Sequence, residues 1–348
     1  MIKDKKNDDG IVTQKEVAEA LGLSIMTVSR ALNNRSNVNP KTKKRIQEVA
    51  EKMGYMPNDV AKSLVSKRTN TIGVVIPEIG HAFFPEVVRG IDEVLGDAHY
   101  QIFLTNSSEN FEKEKQSIKA LRAKRVDGLL VSTSIKSTDY SFFENLKNGG
   151  VKIVFFDRCI HDLGISCVGV NDRVASRHIT EHLIKNGYKK IAYLSGPPEV
   201  TIGRERLAGF RDALENAGIE LNEKRIIESG LTESDGREAM QKLLALPKED
   251  QPDAVATVND PSALGAIEAI KKAGLSIPDD IAIVGFTNEV RASIIDPPLT
   301  TINQPAYDIG KKAAEKLIRT IEDENEPIEN VELIANLVIR KSCGNKDE

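Results

Sequence analysis

Tryptophan is absent from the 348 residues, and aromatic side chains of all kinds make up only 5% of them. No apolar run reaches the roughly 20 residues needed to cross a bilayer. The first ten residues, MIKDKKNDDG, are too polar for a secretory signal, so the expected location is the cytoplasm. Cysteine is scarce: Cys159, Cys167 and Cys343 are odd in number, lack metal-ligand spacing and read as free thiols. His178 and His182 stand one helical turn apart, but no further ligands join them; they read as structural, like His99 and His161, and no metal site is expected. HExxH, Walker and GxSxG elements are missing, which removes the usual catalytic signatures. Neither a cofactor nor a catalytic residue is expected.

What is present describes an ordinary soluble chain, 40% hydrophobic and 29% charged, long enough for two or three globular units. The net charge of −4 hides an asymmetry. Residues 1–70 carry 14 Lys+Arg against 8 Asp+Glu, a balance of +6; the remainder carries 34 against 44, a balance of −10. A basic head on an acidic body is expected when only the head meets a polyanion.

The head spells out how it would do so. In TQKEVAEALGLSIMTVSRAL (residues 13–32), Thr13 and Glu16 form a capping box ahead of a helix with Val17, Ala18 and Leu21 on one face. Gly22 supplies a left-handed turn, and Ser24 caps a second helix that buries Val28 and Leu32. Asn39 and Pro40 open a third helix, with Ile46, Val49, Ala50 and Met53 inward and Gly54 as its stop. Small Ala18, turning Gly22 and apolar Val28 have helix-turn-helix spacing, in which the start of the second helix enters the major groove. Ile25, Met26 and Arg30 are left over from the core and suit base edges. Ser24, Thr27, Ser29 and Asn33 suit phosphates, and Thr13 completes the DNA-facing set in this segment.

From Thr71 onward, apolar strands alternate with amphipathic helices. TIGVVIP, YQIFLT, VDGLLVS and KIVFFD form one series, and KIAYLSG, AVATVND and IAIVGF a second. Continuous apolar strands joined by helices predict an α/β body of two lobes, each a doubly wound parallel sheet. Ligands of such sheets bind beyond the carboxyl ends of the strands. The candidates just past those ends are His81, Phe83, Phe84, Asp157, Arg158, Asn259, Asp260, Thr287 and Asn288, with Arg204 or Arg206 from the helix after a Gly-Pro loop. Carboxylates, amides, arginine and phenylalanine together suit a polyhydroxylated ligand such as a sugar.

These segments, with VNPKTKKRIQEVAEKMGYMPN, RERLAGFRDAL, VNDPSALGAIEAIKKAGLSIPDDIAIVGF and PPLTTINQP, resemble the LacI/GalR family of bacterial transcription regulators over essentially the whole chain. The resemblance implies a helix-turn-helix DNA-binding domain on a two-lobed periplasmic-binding-protein-like body. It further implies a homodimer on a roughly palindromic operator, controlled by a small-molecule effector, which the cleft residue types above make a carbohydrate. The divisions it implies are a polar tail at 1–10, the DNA-binding domain at 11–56, a hinge helix and linker at 57–70, the body at 71–340 and a frayed tail at 341–348. Lobe 1 is expected at about 71–168 and 305–330, and lobe 2 at about 169–302 and 331–340. It also gives meaning to PNDVAKSL (57–64), a helix start too short to stand alone in water. In the family this hinge orders on operator DNA and a leucine matching Leu64 wedges between base steps, with Asn58, Ala61 and Lys62 alongside. The effector set carried over is His81, Phe83, Phe84, Asp157, Arg206, Asn259, Asp260 and Thr287. Two departures stand out: HAFF where many members have NPFF, and Thr287 where they have aspartate. With no tryptophan, ligand stacking falls to phenylalanine or tyrosine. The function expected is a sugar-responsive repressor, neither an enzyme nor a membrane protein. The rivals are a regulator governed by a partner protein such as a phosphocarrier, and a ligand-binding protein with no DNA role.

Overall fold

A computed structural model describes residues 12–33, 38–56, 68–80, 82–135 and 140–344. Contacts divide the chain into residues 1–69 and 70–348. The hinge candidates Asn58, Ala61, Lys62 and Leu64, and the cleft candidate His81, lie outside the described residues.

The first unit holds α1 (Gln14–Leu21), α2 (Ile25–Leu32) and α3 (Pro40–Met53). Each start is capped as expected: Thr13 and Glu16 close the reciprocal box, Ser24 Oγ accepts from Thr27 N, and Asn39 Oδ1 accepts from Lys41 N. Gly22 and Gly54 end α1 and α3 at φ 65° and 73°, backbone that favours glycine. Val17, Ala18, Val28, Ala31, Ile46 and Ala50 form the buried core; Leu21, Leu32 and Met53 close its rim.

The second unit has two six-stranded sheets. In the first, β1 (Thr71–Ile76), β2 (Gln101–Asn106), β3 (Gly128–Val131), β4 (Ile153–Phe156), β5 (Ser166–Val170) and a late strand β11 (Asn330–Leu333) lie in the order β11-β5-β4-β3-β1-β2, all parallel. Alternation along β1 divides its burial. Ile72, Val74 and Ile76 pack under α4 (Phe83–Asp97) and α12 (Ala306–Glu322). Val75 faces α5 (Phe111–Ala123) and α6 (Tyr140–Asn148). The α4 and α12 backbones touch through Gly90 and Gly310, where any Cβ would come within 2.0 Å of a carbonyl oxygen on the opposite helix.

The second sheet repeats the plan with β6 (Ile191–Ser195), β7 (Ile226–Glu228), β8 (Ala254–Thr257), β9 (Ala282–Thr287), β10 (Thr300–Asn303) and an antiparallel β12 (Asn336–Val338), in the order β12-β10-β9-β8-β6-β7. Its faces are covered by α7 (Asp172–Lys185) and α8 (Thr201–Asn216) on one side. On the other lie α9 (Glu233–Leu244), α10 (Asp260–Lys272) and the short α11 (Val290–Ile294). The strand order reverses between β1 and β3 and again between β6 and β8, the two places where doubly wound sheets open a crevice.

Three expectations need correction. Cys159 and Cys167 are joined in a disulfide, because β5 returns beside β4; only Cys343, buried, is free. The last strand of lobe 1 runs to Leu333, so its crossing lies later than the expected boundary at 330/331; the crossings fall at 171, 304–305 and 334–335. Residues 341–344 are not frayed: Ser342 and Cys343 are buried, and Ser342 Oγ donates to Ile283 O while accepting from Thr300 N. Residues 345–348 lie outside the described set.

Candidate functional site

In the first unit the core takes one face of α2 and leaves its beginning in solvent. Ile25 is 49% exposed and Met26 62%, and Arg30 is exposed on the next turn. Two apolar side chains in water at a helix start have no structural use there and match the methyl-bearing edges of a groove. The hydroxyls are partly engaged within the helix: Ser24 Oγ lies 2.9 Å from Thr27 Oγ1, and Asn33 Nδ2 donates to Ser29 O at 2.8 Å. Thr13 Oγ1 donates to Glu16 Oε2 at 2.9 Å.

In the second unit the carboxyl ends of both sheets face one cleft. Ala82, Phe83, Phe84, Asp157 and Arg158 line it from lobe 1, and Ile202, Arg206, Asn259, Pro261, Thr287 and Glu289 from lobe 2. Gln304, in the second crossing, closes the back. The free volume between these groups is about 40 Å³. On that measure, the space open to the centre of a water-sized sphere, one water needs about 10–15 Å³, so the cleft has room for a few waters in this form.

The two guanidiniums are held firmly. Arg206, 2% exposed, donates Nε to Asp172 Oδ1 and Nη1 to Val258 O, both at 2.7 Å, and lies 3.7 Å above the Phe286 ring. Arg158 gives Nη1 to both Glu109 oxygens at 2.8 and 2.9 Å. Arg204, two residues before Arg206, is turned away and donates to the carbonyls of Pro198 and Glu199. Phe83 and Phe84 meet edge-to-face with centroids 5.3 Å apart; they serve the lobe 1 core and the cleft wall together.

Asp157 follows β4 at φ 58° with its side chain 7% exposed. Desolvation pushes its pKa from the ordinary 3.8 up to about 6, against the pull of Arg158 and then Arg206. Burial raises Asp260 likewise to about 6, opposed first by its bond from Thr301. A carboxyl raised on folding favours the fold below its unfolded pKa and loses that contribution as pH climbs through about 6. These two groups therefore stabilise the body as pH falls from neutrality towards 4.

Asp260 does not line the cleft. Its Oδ1 accepts from Thr301 Oγ1 at 2.6 Å and its Oδ2 from Glu289 N at 2.9 Å, so it positions the loop after β9. That loop is strained, with Thr287 at φ 134° and Asn288 at 61°, costs of about 1–3 kcal/mol each that persist only where surroundings enforce them. Arg340 Nη2 donates to Asn288 Oδ1, and Asn288 Nδ2 donates to Asn303 Oδ1. Asn259 reaches the cleft while its amide caps α10 through Ser262 N and donates to Leu231 O.

Glu289, Gln304, Ile202, Pro261 and Ala82 are lining residues that strand-end reasoning did not pick out. Gln304 directly follows β10 and would have been found had TTIN been read as a strand. Its Nε2 is buried without a well-aligned acceptor. Glu289 sits beside Arg291 Nε at 2.7 Å. Among the described residues no three metal-binding side chains gather, and no helix is long and apolar enough to cross a membrane.

A helix-turn-helix joined to a two-lobed sensor of this topology defines a DNA-binding regulator under ligand control. Residues 13–58 match the family described as "Bacterial regulatory proteins, lacI family". Residues 69–341 match "Periplasmic binding proteins and sugar binding domain of LacI family". The catabolite control protein A of Priestia megaterium is 34% identical over 332 residues, covering 95% of this chain and 99% of that protein. The lac repressor dimer bound to operator and an anti-inducer superposes with a TM-score of 0.86 at 28% identity, covering 96% of this chain and 99% of its own. A CelR regulator–cellobiose complex gives 0.73 at 28% identity, covering 95% and 99%. The chain belongs to the LacI family of bacterial transcription regulators, proteins that bind DNA rather than catalyse reactions.

Proposed function

We propose that this regulator is a repressor that binds a palindromic operator as a homodimer and is governed by an uncharged, hydroxyl-rich effector, a sugar or sugar derivative, in the cleft. The observation that carries the effector class is the charge balance around the cleft. Arg158 and Arg206 are bonded to Glu109 and Asp172, Asp157 shares Arg158 at 3.8 Å, and Glu289 pairs with half-exposed Arg291, so four carboxylates meet three guanidiniums around the cleft. A further negative charge would meet repulsion and offer nothing to the bound guanidiniums; hydroxyls would donate to the carboxylates and stack their apolar face on Phe83 or Phe84. The CelR neighbour's complex with cellobiose supports the carbohydrate class. Thr287 in place of aspartate means that one hydroxyl contact differs from that of many relatives.

Self-association is supported by apolar surface on both lobes. Phe103 and Leu104 on the edge strand β2 are 40% and 39% exposed, and Val290 and Ile294 on α11 are 76% and 75% exposed. Clusters of this kind on a soluble protein mark association surfaces.

The direct test is fluorescence anisotropy on an operator selected from genomic fragments, titrated against neutral sugars and their phosphates. A neutral sugar should change operator affinity by about 5–150-fold, the span of a 1–3 kcal/mol coupling. An effect from phosphorylated sugars alone, or from none, sinks the reading. Binding at Asp157 adds a pH signature: hydroxyls favour the carboxylate, so occupancy expels a proton near pH 6. Effector affinity should fall by up to about tenfold per pH unit below 6, and calorimetry in two buffers of different ionisation enthalpy should register the released proton.

A further inference from the structure

The Cys159–Cys167 disulfide spans the connection from β4 to β5, the segment whose first residues are Asp157 and Arg158. Cys167 lies within β5, opposite Phe155 of β4 and bonded through its N–H to Glu329 O, so one end of the bridge is fixed in the sheet. The other end is not confined to its own lobe. The carbonyl of Cys159 accepts a 2.6 Å hydrogen bond from Thr201 Oγ1, at the first residue of α8 in lobe 2. One residue on is Ile202, and one further turn along α8 is Arg206, both in the cleft wall. A covalent link in lobe 1 thus holds the acceptor of a bond between the lobes.

The rest of the segment has separate anchors. Arg158 O accepts from Thr133, Asp157 N donates to Val168 O, and Ile160 and Ile165 are buried in the lobe 1 core. Opening the disulfide therefore leaves the loop folded and frees chiefly the Cys159 carbonyl. A transcription regulator works beside DNA, in a compartment kept reducing by thiols, where disulfides are rare and those that form are usually transient or redox-sensing.

We infer that Cys159 and Cys167 form a thiol–disulfide switch that sets how firmly the lobes engage across the cleft. Cys167, the less buried of the two, is attacked or attacks first. As a thiolate it displaces one thiolate from a low-molecular-weight disulfide and becomes a mixed disulfide. Cys159, after loss of its proton, then attacks the Cys167 sulfur and expels the second thiolate. Two protein thiols lose two electrons, the small disulfide gains them, and the protons pass to the released thiolates. Reduction runs the same steps backwards. The switch acts whatever ligand the cleft takes, so its failure and failure of the sugar reading are separate results.

The test uses the full chain without effector. Equilibration in glutathione mixtures, acid quenching and alkylation followed by mass spectrometry should show two thiols appearing and disappearing together, with Cys343 a thiol throughout. Hydrogen exchange then compares the oxidised protein with protein reduced by a phosphine. Amides in 158–165 and at the start of α8 should exchange about fivefold faster when reduced, the shift expected from losing one net hydrogen bond, with β8 unchanged. Thr201→Val should keep the disulfide but remove the redox difference at α8. A Cys159→Ser/Cys167→Ser variant should match the reduced form under both conditions; should it fail to fold, the wild-type comparison decides. Cysteines that stay reduced in oxidised glutathione, or equal protection of α8 in both forms, would overturn the inference.

Discussion

Ile46→Ala should abolish operator binding while leaving the body folded and responsive to its effector. Ile46 is fully buried where α3 meets α1 and α2, in a core whose other buried members are Val17, Ala18, Val28, Ala31 and Ala50. Three of those five are alanines, so the larger apolar side chains dominate the cohesion of the unit. Truncating a buried isoleucine costs about 2–5 kcal/mol, and a unit of this size has little more than that in reserve. The helices would then be mostly unfolded, and Ile25, Met26 and Arg30 would lose their common frame. The body has its own cores, so ligand-induced thermal stabilisation of residues 70–348 should persist. Circular dichroism would show a modest helix loss, and anisotropy no binding at concentrations that saturate the native protein. Arg30→Ala is the control: exposed, it should leave the fold intact and cost about 1–3 kcal/mol, chiefly at one base pair. Normal operator affinity in Ile46→Ala would mean that the small core is not what presents the recognition helix.

The caps of the first unit were legible because capping is local: Thr13 with Glu16, Ser24, and Asn39 with Pro40 each act within a few residues. Seven strands were legible as apolar runs; six are buried on both faces, which removes the alternation that would otherwise be needed, while β2 is an edge strand whose run leaves Phe103 and Leu104 exposed. The strands missed are SCVGV, IIE, TTIN, NVEL and NLV, short and in part polar, recognisable only from the neighbours that pair with them. Missing TTIN also hid Gln304. Asn259 and Asp260 looked equivalent in sequence, yet successive residues entering a helix diverge by about 100°, so the first reaches the cleft and the second faces β9 and β10. The same geometry separates Arg204 from Arg206 by about 200° and sends only the latter inward. The disulfide had no local signal, because its two ends meet through the β4–β5 pairing.

Arg206→Met should eliminate the effector response and destabilise the body together, and a second substitution separates the two effects. Arg206 binds Asp172 at the first crossing, Val258 O after β8 and the face of Phe286, so it ties lobe 2 to that crossing. Methionine fills much of the space but leaves Asp172 buried without its cation, a loss of about 3–5 kcal/mol. Asp172 is already raised by desolvation, with Arg206 the main influence holding it down, so removing the arginine raises it further. A raised carboxyl favours the fold at low pH, so the deficit of Arg206→Met should be greatest near neutrality and shrink as the solution is acidified. Combining Arg206→Met with Asp172→Asn removes the stranded charge and should restore most of the stability measured by urea unfolding at pH 7. Effector binding should stay absent in both variants, because the donors facing the cleft are gone. Recovery of the ligand response along with stability would show that Arg206 serves only as a strut, and the cleft would need another group to grip its ligand.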